Sequence, residues 1–249
     1  PDDTFTDVVK PNVDTFYSVA WLDLKDKPMV LTVPATERYY LFPMLDAYSN
    51  VFASPGTRTT GTCAHTFLIT GPGSSVNVPE GMELIKAPTS TVWVIGRIQV
   101  NSPEDGATTV KNIQDGIKLL PLKEFGNKNY QAPKNEVVEA YSKIIPVKNA
   151  FAMPVEDYFT RMAELMVDNP PAEIDLAIVN EMASIGLVAG KSFGVSGFSE
   201  SLMAKINSMP QRMTDKLKSV MTASSGKING WSTSTMSNPA LGNFGTDYK

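Results

Sequence analysis

The feature that most constrains this chain is a change of hydrophobic period near residue 102. Before it, short β-branched and aromatic runs alternate with Pro/Gly turns. After it, apolar residues recur every three to four positions. The runs at 17–24, 29–33, 39–45, 66–70 and 92–98 have the length and composition of strands. Lys27-Pro28, Ser-Pro-Gly at 54–56, Gly-Pro-Gly at 71–73 and Pro-Glu-Gly at 79–81 supply the turns between them. A series of this kind buries itself as two packed sheets or as a closed barrel. Pro43, inside a run, predicts a bulge or an edge position. The expected β core comprises Trp21, Leu22, Leu31, Val33, Leu41, Phe67, Ile69, Trp93 and Ile95.

Beyond the change of period, Ser102-Pro103-Glu104-Asp105 starts a helix expected over 104–116. Residues 119–122 read as one more strand. Residues 126–135 are polar and contain Pro and Gly, so they read as a linker or surface loop. Tyr158, Phe159, Met162, Leu165 and Met166 share a helical face opened by Pro154. Pro170-Pro171 closes that helix, and Ile174, Ala177, Ile178, Met182 and Ile185 mark the next. A third helix is expected over 198–223, kinked at Pro210. Most of the 12 Met residues lie in this half, as adaptable core or as a docking surface. The expected class is therefore α+β: an antiparallel, jelly-roll-like β-sandwich or barrel over 1–125, irregular chain over 126–153, and a helical region over 154–249.

Composition narrows function mainly by exclusion. With 22 Lys+Arg against 26 Asp+Glu the formal charge is −4, and no basic stripe exists to hold nucleic acid. No apolar run approaches the ~18–20 residues of a membrane span. One cysteine (Cys63) and one histidine (His65) rule out a disulfide framework, a cysteine-based zinc site and any His-pair motif. No metal and no cofactor is expected. Gly186-Leu-Val-Ala-Gly190-Lys191-Ser192 imitates a phosphate loop but has three residues where that loop needs four, so it reads as a helix C-cap and turn. His65 reads as a turn or strand-edge histidine, although Cys63 two residues earlier could share its face.

The candidate ligand-binding residues are Asn12, Asp14, Thr15, Asp46, Asn50, Arg58, Thr60 and Arg97; no residue is assigned a catalytic role. Asp14 and Asp46 have two readings, an acid–base pair acting on a glycoside or plain turn and cap residues. Arg58, in Arg58-Thr59-Thr60-Gly61-Thr62, is either an anion clamp or a structural partner of Asp46.

Residues 7–98 carry a resemblance. Pro11-Asn12-Val13-Asp14-Thr15-Phe16-Tyr17-Ser18, Arg38-Tyr39-Tyr40, Leu45-Asp46-Ala47-Tyr48-Ser49-Asn50, Gly56-Thr57-Arg58-Thr59-Thr60-Gly61 and Thr91-Val92-Trp93 with Gly96-Arg97 resemble the domain-of-unknown-function family numbered 1254. Val13 stands where the family pattern has a second Asn. The resemblance implies a jelly-roll or sandwich fold followed by helices and by a second domain, of the family numbered 1214. Gly242-Asn-Phe-Gly245-Thr-Asp247 is similar to the lead-in to that domain. The chain stops at Lys249, as a trypsin-like cut would leave it, so the expectation is a fragment. Its expected partners are the absent C-terminal domain or a second fragment, and further copies of itself. The resemblance also favours a periplasmic or secreted location. The function expected is a binding and interaction module of a two-domain, envelope-associated or secreted protein. The alternative is a hydrolase, or another enzyme, acting on a carbohydrate-like or small anionic ligand.

Overall fold

The computed structural model describes residues 12–134, 138–139, 144–223, 226–228 and 231–233. These form two compact units. One runs to Pro133 and takes in Asp168–Pro170; the other comprises Lys134–Val167 and the described residues from Pro171 on. The class is α+β, as the change of period requires.

The first unit is built on two open sheets, and no closed barrel forms among the described residues. One sheet contains β1 (Thr15–Asp23), β8 (Thr91–Gln99), β4 (Met44–Leu45) and β5 (Val51–Ala53) in that order, with β3 (Tyr40–Leu41) also paired to β8. The other runs β7 (Glu83–Lys86), β6 (His65–Thr70), β2 (Met29–Val33), β9 (Lys118–Pro121). All pairings are antiparallel except β6–β7. The 39–45 run is split into β3 and β4 around Phe42-Pro43, and the register slips between Met44 and Leu45. That irregularity is the one Pro43 foretells.

Strand periodicity of two sets the core. Leu22, Tyr40, Met44, Val92, Val94 and Ile98 from the first sheet, with Phe42 from the link between β3 and β4, share one cluster with Leu31, Val33, Phe67 and Ile69 from the second. Burial at ~25 cal/mol per Å² makes this cluster the main source of stability. Gly96 belongs to the inner row of β8, and a Cβ there would lie 2.4 Å from the Phe42 ring. The core expected from sequence is corrected at one strand face. Trp21 is 67% exposed, and Leu41, Trp93 and Ile95 are only half-buried, because the odd-numbered residues of β1 and β8, with Leu41 of β3 opposite Arg97, point away from the second sheet.

The helix expected over 104–116 is present as α1 (Pro103–Asp105), one π-helical segment (Gly106–Val110) and α2 (Lys111–Gly116). Ser102 caps it by accepting from the Asp105 N–H at 3.1 Å. The second unit contains α3 (Pro146–Ala152), α4 (Val155–Asp168, whose last residue belongs to the β unit), α5 (Leu176–Ser184), α6 (Glu200–Asn207) and α7 (Met209–Ala223). Its buried cluster is small: Ala163, Leu187 and Phe193, edged by Phe159, Met162, Met182 and Phe198. The single kinked helix expected over 198–223 is two helices broken at Ser208. Pro210 sits in the first turn of α7, where its missing N–H costs nothing. Gly186 follows α5 with φ +91° and donates to the Ala183 carbonyl at 3.0 Å, the cap-and-turn geometry expected of it. The stretch 242–247 lies outside the described residues.

Candidate functional site

The sequence-derived candidates do not converge. Asn12 Oδ1 accepts from the Asp14 N–H at 2.8 Å, and Asn12 Nδ2 donates to Thr15 Oγ1, so these three residues form the turn into β1. Asp46 is buried and organises its own loop. Its Oδ1 accepts from the backbone N–H of Tyr48 (2.8 Å) and of Asn50 (2.9 Å), and its Oδ2 accepts from Asn50 Nδ2 (3.2 Å). These contacts hold Ser49 in the left-handed region at φ +67°.

Strand β8 serves as a ruler between the two carboxylates. The Asp14 carbonyl bonds the Val100 N–H, whereas Leu45, just before Asp46, pairs with Trp93. Seven residues of strand separate those rungs, on the order of 20 Å at ~3.3 Å per residue. A glycosidase pair stands ~5–9.5 Å apart. Arg58 is exposed and makes no ion pair among the described residues, so the expected Asp46 pairing is absent. Thr60 works inside its loop: its Oγ1 accepts from the Gly56 N–H at 3.1 Å. A side chain at Gly56 would strike the Tyr40 carbonyl at 2.5 Å, so only glycine lets this loop cross β3.

Arg97 is the candidate that leads to a surface. It stands on the outer row of β8, opposite Tyr17, with its guanidinium 5.2 Å from the Tyr17 ring centroid. Two rungs further on are Val19 and Ile95, and two beyond those are Trp21 and Trp93. The two indoles stack with centroids 5.3 Å apart and planes 2° from parallel. Val19 is 56% exposed and Tyr17 43%. Trp93 Nε1 and Arg97 Nε are buried without a hydrogen-bond partner among the described residues. The outer face of the five-stranded sheet is thus an aromatic and aliphatic strip with a cation at one end and Asp23 at the other. Sequence reasoning counted Trp21 and Trp93 as core. The available signal was the Trp-Leu pair at 21–22: adjacent strand residues face opposite ways, so only one of the two can be inside.

His65 is the second residue that sequence reasoning set aside. Its Nδ1 lies 2.6 Å from Glu83 Oε1 across the β6–β7 pair, and its ring stacks on Phe67 at 5.5 Å. Its Nε2 is buried without a partner among the described residues. Nearby, the buried Tyr40 hydroxyl donates to the Gly61 carbonyl at 3.2 Å. Burial raises the Tyr40 pKa above its usual 10.0, with the charges of Glu83 and Cys63 adding to the effect and a Thr60 hydrogen bond opposing it. A carboxylate on Nδ1 fixes the imidazole orientation and leaves Nε2 to accept or donate. No group of three or more His, Cys, Asp or Glu among the described residues is placed to hold a metal ion. No described helix is long and apolar enough to cross a membrane.

Known proteins agree with this architecture. The family model described as "Protein of unknown function (DUF1254)" matches residues 1–121, and that segment belongs to the family. The crystal structure of the VPA0106 protein from Vibrio parahaemolyticus, a structural genomics target, is similar with a TM-score of 0.63 at 20% identity. The match covers 86% of this chain and 51% of that one, so this chain spans about half the length of that protein. At this identity the likeness concerns the fold. No curated protein matches the chain.

Proposed function

We propose that this DUF1254 domain is a protein-interaction module, and that the outer face of its five-stranded sheet is the surface it presents. The observation that supports this is the Trp21–Trp93 stack beside Val19, Tyr17 and Arg97, with Trp21 67% exposed. Trp, Tyr and Arg are the residue types enriched where interface energy concentrates, Trp and Tyr because they bury large rigid areas at low entropic cost. The dispersal of Asp14, Asp46 and Arg58 into separate turns favours binding over hydrolysis. An enzyme reading would have to rest on His65 and Glu83 instead.

The partner we propose is a second folded domain of the same polypeptide. The helical unit supports this, because Ile174 (70%), Leu176 (51%), Ile178 (46%) and Ile185 (54%) leave much apolar side chain uncovered. The similar VPA0106 chain, about half of which lies outside the match, has room for such a domain. A periplasmic or secreted location, and self-association, belong to the same proposal. The test is hydroxyl-radical footprinting of this chain beside the longest natural polypeptide that contains it. Protection of Trp21 and Tyr17 in the longer protein supports the proposal; equal oxidation in both contradicts it.

A further inference from the structure

Between α6 and α7 lies an open cavity of about 570 Å³. Its apolar wall is Leu202 and Ile206 from α6 with Met209 and Met213 from α7; its charged lining is Lys205, Arg212, Lys216 and Asp215. On α7, Met209, Arg212, Met213 and Lys216 fall at i, i+3, i+4 and i+7, so sulfur and cation alternate along one helical face. Leu202, Met209 and Met213 stay 41–46% exposed along the groove. None of the three cations is in an ion pair among the described residues. Asp215, the one acid, accepts a hydrogen bond from Gln211 Nε2 at 2.9 Å. The lining is therefore apolar and net positive, with sulfur and cation interleaved along α7.

We propose that this groove binds a single-chain anionic amphiphile, an acyl chain carrying a carboxylate or phosphate head. The chain would lie along Leu202, Ile206, Met209 and Met213, and the head would meet Arg212 and Lys216. Three features point to this ligand class, the last of them against a neutral or cationic head. The volume falls within the ~300–1,000 Å³ of small-molecule sites. Met side chains adapt to a flexible chain of variable length. An Arg–Lys pair one turn apart clamps an anionic head by charge-assisted hydrogen bonds. A desolvated methylene is worth about fourfold in affinity when fully buried, so an open groove gives a smaller but regular increment.

The experiment displaces 11-(dansylamino)undecanoic acid, followed by its fluorescence, with octanoate, decanoate and dodecanoate below their micelle concentrations. Each two-carbon step should tighten binding about three- to tenfold. Dodecyltrimethylammonium at the same chain length should bind at least tenfold more weakly than dodecanoate. The Arg212→Glu/Lys216→Glu variant, with unchanged far-UV circular dichroism, should lose at least tenfold for dodecanoate. The milder Arg212→Gln should lose less, which keeps the test sound if charge reversal unsettles the helix. No chain-length dependence, equal binding of the cation, or an unaffected charge-reversal variant would overturn the proposal. Binding to phosphatidylglycerol vesicles without binding of monomeric dodecanoate would also overturn it, in favour of a membrane surface.

Discussion

Gly96→Ala is the substitution whose effect follows most directly from the packing. Gly96 lies on the inner row of β8, between Val94 and Ile98. An added Cβ would stand 2.4 Å and 2.7 Å from two carbons of the Phe42 ring and 2.9 Å from the Ser18 carbonyl oxygen. Real Cβ contacts do not come under about 3 Å, so the ring, the backbone or both must move. Phe42 is 2% exposed and packs edge-on against Tyr40, so its ring has no free space to enter. Overpacking of this kind costs about 1–3 kcal/mol, and the two-sided contact with ring and carbonyl places Gly96→Ala near 2–3 kcal/mol. The assay is urea unfolding followed by tryptophan fluorescence, since the Trp21–Trp93 stack reports on this sheet. At an m-value of about 2 kcal/mol/M, the midpoint should fall by roughly 1–1.5 M with m unchanged. Phe42→Leu in the Gly96→Ala background should recover part of the loss, although Phe42→Leu alone destabilises. A midpoint shift below about 0.3 M, or no recovery in the double variant, would refute the packing argument.

Other substitutions separate structure from function. Asp46→Ala strips two backbone N–H groups of their acceptor and should cost about 2 kcal/mol in thermal or urea unfolding, with Asp46→Asn costing less. Asn169→Ala, which removes the side-chain acceptor held 2.8 Å from the Thr91 N–H, should cost about 1–3 kcal/mol by the same measurement. Tyr40 has its folded pKa raised by burial, so its contribution to stability is complete below pH 10 and is lost as pH rises from there through the folded value. Tyr40→Phe should therefore flatten the alkaline fall in stability at the cost of about 1 kcal/mol at neutral pH, and absorbance at 295 nm should lose a phenol that ionises above the usual range.

The strand-rich first unit was legible because strand runs and Pro/Gly turns are local signals. The break at Pro43, the helix from Ser102 and the cap at Gly186 were legible for the same reason. The phase of β8 was not. Val92 to Ile98 is apolar at nearly every position, so alternation could not say which row faces the second sheet. The pattern reads Trp93 and Ile95 as inside, and it assigns no packing role to Gly96, the residue that admits Phe42. β7 was missed because Glu83-Leu-Ile-Lys86 is short and gains its strand character only from β6 beside it. The candidate site fared similarly. Asn12, Asp14, Asp46, Asn50 and Thr60 stand out in sequence because turns demand such residues. Arg97 alone belongs to the aromatic face, which comes into being only when β1 pairs with β8 and brings Trp21 against Trp93. The His65–Glu83 contact joins residues 18 apart through a parallel strand pair, which no local pattern reveals.

The central claim is that the Trp21–Trp93 face is an interaction surface. Residue-resolved hydroxyl-radical oxidation of Trp21, in this chain and in the longest natural polypeptide containing it, addresses that claim most directly. The account expects rapid oxidation of Trp21 in this chain and at least a severalfold slower rate in the longer protein, with the exposed Phe125 unchanged as an internal reference. Equal Trp21 rates in the two proteins would contradict it.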